Sequence, residues 1–175
     1  MSLHNDPAEQ VARLAEALLA RGQWLGTAES CTGGLITAAC TELAGSSAWF
    51  DGGVVSYSNE AKQDWLGVPE ALLAAHGAVS EPVALAMAQG VQAGVQRHRP
   101  GAGAWTVAVT GIAGPGGGSP AKPVGTVWVA WAAPDGRVWA QVFRFEGDRA
   151  AVRRQTVSAA LAGLLDALGV GASAG

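Results

Sequence analysis

The sequence predicts an α/β fold, a single three-layer α/β/α domain with a mixed β-sheet, and three observations carry that expectation. Apolar runs of strand length alternate with longer segments whose apolar residues recur at helical spacing, the pattern of strand and helix layers stacked on one another. Pro134-Asp135-Gly136 has the composition of a tight hairpin turn, which demands at least one antiparallel pair in the sheet. The 175 residues, 49% of them hydrophobic, suffice for one sizeable core and fall short of two. That domain is expected over residues 1–168, and the small, polar stretch 169–175 is expected to be disordered.

The elements follow in order. Asp6-Pro7-Ala8-Glu9 reads as a capped helix start, and Val11, Leu14, Ala15, Leu18 and Leu19 form the apolar stripe behind it. Trp24 to Ala28 is a short strand that passes through Glu29-Ser30-Cys31-Thr32-Gly33-Gly34 into a helix from Leu35 to Leu43. Gly52 to Tyr57 is a second strand, with Ser58 or Asn59 capping a helix that carries Lys62 and Trp65. A short helix over Pro69 to Ala75 is closed by Gly77. Ser80-Glu81-Pro82 opens a longer one to about Arg97. Trp105 to Thr110 is a third strand. Gly111 to Val124 is too rich in glycine and proline for helix or sheet and calls for a functional explanation. Gly125 to Ala133 and Val138 to Glu146 form the hairpin, and Asp148 caps a last helix from Arg149 to Leu168.

Composition excludes several function classes. The net charge is −3, from 11 basic and 14 acidic residues, and no block offers a nucleic-acid backbone an extended basic surface. No apolar run approaches the roughly 20 residues of a membrane-spanning helix, and the polar start shows no secretory signal, so the cytosol is the expected compartment. Cys31 and Cys40 are too few for a disulfide framework, and His4, His76 and His98 are isolated from any metal-ligand spacing. Seven tryptophans in so small a domain suggest an apolar subunit interface and a homo-oligomer.

Candidate chemistry begins at Ser30, where a strand end meets a helix start. The N–H groups of such a turn favour an anion, and a hydroxyl beside them can attack a carbonyl whose oxyanion they hold. The same turn also suits simple phosphate binding or helix capping. Cys31 is the rival nucleophile, ranked second because no histidine lies nearby in sequence. A serine needs a base, and the single tyrosine and one of two lysines, Tyr57 and Lys62, fall close together at a strand end and a helix start. A lysine desolvated there has a lowered pKa and serves as a neutral base; a solvated surface lysine is the ordinary alternative. Lys122 lies in the glycine loop, which lacks the spacing of an NTP-binding loop and is either a ligand wrap or a flexible lid. Arg149 would open the last helix, where a cation is unfavourable unless it meets an anion; pairing with Glu146 or Asp148 is the alternative.

Ala28-Glu29-Ser30-Cys31-Thr32-Gly33-Gly34, Ala44-Gly45-Ser46-Ser47-Ala48-Trp49-Phe50, Tyr57-Ser58-Asn59-Glu60-Ala61-Lys62, His76-Gly77-Ala78-Val79-Ser80 and the Thr110 to Gly125 loop together resemble the CinA C-terminal domain, the nicotinamide mononucleotide deamidase family. The likeness runs from about Ala8 to Leu168. It implies hydrolysis of the carboxamide of nicotinamide mononucleotide to nicotinic acid mononucleotide and ammonia, in NAD recycling, with no metal and no cofactor. It implies Ser30 as nucleophile and Tyr57 and Lys62 as the groups that assist proton transfer. The substrate-binding residues it implies are Thr32, Gly33, Gly34, Ser47, Asn59, Thr110, Gly111 and Arg149, with the phosphate near the last three. On this reading the N–H groups from Cys31 to Gly34 hold the oxyanion. A non-catalytic nucleotide-binding module of the competence type is the alternative, and an amidase for a related amide keeps the mechanism.

Overall fold

The computed structural model describes residues 6–170. Its elements are α1 (Pro7–Arg21), β1 (Trp24–Glu29), α2 (Leu35–Glu42), a 3-10 turn at Ser46–Ala48, β2 (Phe50–Val55), α3 (Asn59–Leu66), α4 (Glu70–His76), α5 (Glu81–His98), β3 (Ala104–Gly111), β4 (Thr126–Ala132), β5 (Val138–Arg144) and α6 (Arg149–Ala167). Local chemistry sets most helix ends. The Asp6 carboxylate accepts from Ala8 N, Ser58 Oγ from Ala61 N and Asp148 from Ala151 N, so each satisfies a donor that the first turn leaves over. Of the two candidate caps for α3, the hydroxyl of Ser58 does the work. Ser80 stands at the N-cap of α5, yet its hydroxyl turns back to the Gly77 carbonyl at 2.8 Å and caps nothing.

Three details differ from the sequence reading. Leu19 is 52% exposed, because the buried stripe of α1 runs along Val11, Leu14, Ala15 and Leu18. β2 begins at Phe50 and ends at Val55, two residues before Tyr57, because the carbonyls of Ser56 and Tyr57 leave the ladder to accept from Lys62. At the far end, Gly169 adopts φ 69° and Val170 N donates to Leu165 O, so both residues stay tied to α6. The rest of the expected disordered tail, 171–175, lies outside the described residues.

The strands order β2-β1-β3-β4-β5. β1 pairs in parallel with β2 and β3, while β3 with β4 and β4 with β5 are antiparallel, as the Pro134-Asp135-Gly136 turn requires. Alternation along each strand divides two cores. Trp105, Val107, Val109, Val127, Val129 and Trp131 face α1, α2 and α6, and the smaller Ala28, Ala108, Ala130 and Ala132 face α3, α4 and α5. Small residues bring α5 close: a Cβ on Gly26 would stand 2.6 Å from Val95 Cγ2. From β1 the chain crosses to β2 on one side, and the next crossover returns past β1 to β3 on the other. The carboxyl ends of β1, β2 and β3 therefore meet around a topological switch point, the place where such sheets leave a crevice.

Candidate active site

Ser30 directly follows β1, its N–H bonded to Val109 O, and its side chain is buried at that crevice. The turn that follows needs left-handed backbone at Gly33 (φ 59°) and Gly34 (φ 100°), which glycine adopts without strain. Glu29, the last residue of β1 and fully buried, governs this turn. Its carboxylate accepts from Thr32 Oγ1 at 2.6 Å, Gly34 N at 3.0 Å, Ile36 N at 3.0 Å, Thr37 N at 2.7 Å and Thr37 Oγ1 at 2.8 Å. The start of α2 thus already holds an anion, an internal one. This corrects the expectation that Gly33 and Gly34 offer N–H groups to a ligand: Gly34 N is taken by Glu29, and Gly33 N donates to Ser30 O at 3.1 Å. Thr32 is likewise fully buried with its hydroxyl committed to Glu29.

Lys62 reaches the same spot from the first turns of α3. It is 1% exposed, so the solvated-lysine alternative does not apply. Its Nζ lies 3.1 Å from Ser30 Oγ, 2.8 Å from Ser56 O and 3.0 Å from Tyr57 O. Burial lowers its pKa from the ordinary 10.5, and the neighbouring Cys31 sulfur pulls the other way. With two N–H bonds fixed on the two carbonyls, the remaining position on the nitrogen is turned to Ser30. In the neutral amine that position is the lone pair, so the arrangement can take a proton from the serine hydroxyl. Cys31 lines the pocket too, but burial pushes its thiol up to about 11, which removes the thiolate that a cysteine nucleophile needs.

The remaining residues of the sequence reading divide in two. Tyr57 joins Lys62 through its main-chain carbonyl and not through its phenol. That phenol is 62% exposed, and its oxygen lies 3.4 Å from Arg149 Nη2. Arg149 also donates to Gly114 O at 2.8 Å, so it ties the glycine loop to the mouth of the pocket, and it makes no ion pair with Glu146 or Asp148 among the described residues. Thr110 and Gly111 end β3 on the pocket wall, with the Thr110 hydroxyl donating to Ala78 O at 2.9 Å. Lys122 donates to His76 O at 2.8 Å, which fastens the glycine loop to the end of α4. Ser47 and Asn59 are not brought in. Ser47 sits before the start of β2, at the opposite end of that strand from Ser56, and Asn59 is exposed at the start of α3 and absent from the wall.

The resulting cavity is about 200 Å³. That is below the roughly 300–1,000 Å³ of pockets that enclose a drug-sized ligand, so it accommodates one ring and leaves the rest of a larger molecule at the Arg149 rim. Two organising residues escape a reading of the sequence, Glu29 and Arg153. Arg153 donates from Nε to Cys31 O at 3.1 Å and from Nη2 to Thr32 O at 2.9 Å. Its spacing of four from Arg149, one helical turn on the same face, is the signal that points to it. Among the described residues no group of three or more His, Cys, Asp or Glu side chains is placed to hold a metal ion, and no helix is long and apolar enough to cross a membrane.

Known proteins resemble this chain along most of its length. The chain is 54% identical over 162 residues to the nicotinamide-nucleotide amidohydrolase PncC of Pseudomonas putida, covering 91% of this chain and 96% of that protein. It is 50% identical over 149 residues to the PncC of Escherichia coli K12, covering 85% and 87%. A crystal structure of a competence-damaged protein (CinA) superfamily protein from Klebsiella pneumoniae superposes with a TM-score of 0.86 at 43% identity, over 94% of this chain and 98% of that one. Residues 8–168 match the family described as the CinA C-terminal domain, and the chain belongs to that family.

Proposed function

We propose that this protein hydrolyses the carboxamide of nicotinamide mononucleotide, with Ser30 as nucleophile and Lys62 as the base that activates it. The observation that carries the reading is the buried Lys62 Nζ, held by two carbonyls and turned to Ser30 Oγ at 3.1 Å. Relatives bearing the nicotinamide-nucleotide amidohydrolase name support the choice of substrate. The pyridinium charge withdraws electrons from the carboxamide and makes its carbon a better target than that of free nicotinamide. The ring fits the 200 Å³ pocket, with ribose and phosphate outward toward Arg149 and the glycine loop.

In the first half, Ser30 Oγ bonds to the carboxamide carbon as its proton passes to Lys62 Nζ. The tetrahedral intermediate then expels its nitrogen, which takes that proton and leaves as ammonia. In the second half, Lys62 accepts a proton from water, the hydroxyl cleaves the nicotinoyl ester, and the proton returns to Ser30 Oγ. Nicotinic acid mononucleotide departs. On this reading the product re-enters NAD synthesis, and the reaction belongs to cytosolic pyridine nucleotide recycling with no nucleic-acid partner. We also infer a homo-oligomer, for which Trp65 of α3, 64% exposed, offers an apolar contact.

The test is ammonia release by the purified protein from nicotinamide mononucleotide, beside free nicotinamide and beside Ser30→Ala. Release from the mononucleotide alone, lost in the variant with melting unchanged, is the expected result. Turnover retained in Ser30→Ala removes the nucleophile. Binding of the mononucleotide without any release identifies a binding module instead.

A further inference from the structure

We propose that Thr110 is the residue that distinguishes the carboxamide of the substrate from the carboxylate of the product, its hydroxyl being held as a pure hydrogen-bond acceptor beside the nucleophile. The inference rests on the Ser30 reading above and goes beyond it by naming the group that recognises the amide nitrogen.

Sheet geometry sets Thr110 next to Ser30. β1 and β3 run parallel in the register Ala28 with Ala108 and Glu29 with Val109, and the bond from Ser30 N to Val109 O carries that register past the end of β1. Ala28 and Ala108 both face the core of α3, α4 and α5, so two residues further on Ser30 and Thr110 leave their strands on that same side. Their bonds agree with this. Ser30 Oγ meets Lys62 Nζ from α3, and Thr110 Oγ1 meets the Ala78 carbonyl between α4 and α5. Both residues line the pocket. Neighbouring strands stand about 4.8 Å apart, a span that a carboxamide bridges with its carbon against Ser30 Oγ and its nitrogen against Thr110 Oγ1. In the tetrahedral intermediate that nitrogen and Ser30 Oγ share one carbon, so it stays within reach of Lys62 Nζ, which lies 3.1 Å from Oγ.

A threonine hydroxyl has one proton to give and two lone pairs that accept. The Thr110 proton is fixed on Ala78 O at 2.9 Å, because a carbonyl has no proton to return. Among the described residues no N–H or O–H donates to Thr110 Oγ1 in exchange. What Thr110 presents beside the nucleophile is therefore lone pairs alone. The residue is 1% exposed, and an acceptor buried to that degree is costly to leave unpaired. An amide nitrogen brings it an N–H; a carboxylate brings only further lone pairs, which it repels. The same contact orients the substrate, with the nitrogen turned to Thr110 and the carbonyl oxygen turned away. Once hydrolysis has replaced nitrogen by oxygen, the contact changes from attractive to repulsive and favours departure of the acid. A site built to hydrogen-bond one group rejects the analogue lacking it more strongly than an apolar pocket rejects a change in size.

The experiment measures Kd on a Ser30→Ala background for three pyridine mononucleotides that differ only in the ring substituent: the carboxamide, the carboxylate and a methyl ketone, which has the size of the amide and no N–H. The carboxamide should bind about tenfold more tightly than the methyl ketone, the ratio that one buried hydrogen bond supplies. Thr110→Val keeps the branched shape and removes the hydroxyl. It should bring those two ligands to within about threefold of each other and narrow the ratio of carboxylate to carboxamide Kd by about tenfold. Lys62 is unchanged throughout, so its attraction for a carboxylate cancels in that comparison. Thr110→Ser should keep the order of the three ligands. Equal Kd for carboxamide and methyl ketone before any change at Thr110 overturns the proposal, and does so even where Thr110→Val fails to fold. A uniform loss of affinity for all three in Thr110→Val also overturns it, since that is the behaviour of a strut for the Ala78 wall. Ammonia release by Ser30→Ala is a different outcome, seen before any Kd is taken, and removes the serine reading itself.

Discussion

Lys62 shows how one side chain can be costly to the fold and necessary to the reaction. Its amino group sits against three oxygens with the side chain 1% exposed, and burial lowers its pKa below 10.5. A group whose folded-state pKa is depressed binds fewer protons when folded. Its contribution to stability is therefore present above 10.5 and is lost as pH falls through the folded value. Turnover moves in the same direction, because only the neutral amine can accept the Ser30 proton. The expected pH profile of kcat/KM rises along an acid limb whose midpoint lies below 10.5, and Lys62→Met abolishes turnover. The melting temperature of the wild type relative to Lys62→Met should increase with pH across the same window. A profile flat down to about pH 5 in an enzyme that tolerates Lys62→Met would exclude this residue as the base. The proximity of Tyr57 and Lys62 in sequence is enough to place them at one strand end and one helix start. Which part of Tyr57 meets the amine is not written there, because it depends on how β2 ends, and the structure uses the carbonyl.

The elements that carry these groups are held by close approaches that leave no room for adjustment. Lys62 rides on α3, and α3 lies against α5 at Gly90, where an added Cβ would come within 2.0 Å of the Leu66 carbonyl oxygen. Gly90→Ala gains about 1 kcal/mol of helix propensity and incurs overpacking strain of about 3 kcal/mol, since a backbone atom cannot rotate away. A net loss of about 2 kcal/mol is expected, together with a fall in kcat as α3 and its lysine are displaced. Gly94→Ala on the same helix is the control, because its Cβ would meet only Arg97 Nη2 at 3.7 Å. It should be neutral or stabilising by up to about 1 kcal/mol and leave kcat intact; equal damage from both would refute the close-approach argument. Elements of this kind are legible in sequence where their signals are local. Asp6-Pro7, Ser58 and Asp148 announce helix starts because a cap bonds two or three residues away. The hairpin at Pro134-Asp135-Gly136 is legible for the same reason. For Arg153 the spacing from Arg149 marks only a shared helix face, and its partners, 122 and 121 positions earlier in the chain, are not legible. Nor is the Glu29 carboxylate, which turns an apparent ligand site into a closed internal cap, since nothing in Glu29-Ser30 tells which way each side chain leaves the strand.

At the scale of the molecule, one sheet serves as the floor of two separate cores and carries the pocket on a single edge. Leu164 on α6 belongs to the core shared with α1 and α2, and Val83 on α5 to the core shared with α3 and α4; both are fully buried. Leu164→Ala removes a large side chain from a filled space and should cost about 2–5 kcal/mol. Val83→Ala removes two methyl groups, at about 0.8 kcal/mol each before any cavity forms. The two residues belong to separate clusters on opposite faces of the sheet, so their effects should add to within about 0.5 kcal/mol in the double variant. Cooperativity requires more than additivity. Because β1, β3 and β4 contribute side chains to both cores, loosening either face removes support from the strands that the other face needs. Denaturant unfolding followed by tryptophan fluorescence, which reports chiefly on the face holding Trp105 and Trp131, should therefore coincide with unfolding followed by far-UV dichroism in the wild type and in all three variants. Transitions that separate in Val83→Ala, with the fluorescence signal surviving the loss of helix, would show that the α5 face melts alone. The pocket at the ends of β1, β2 and β3 would then rest on one core rather than on both.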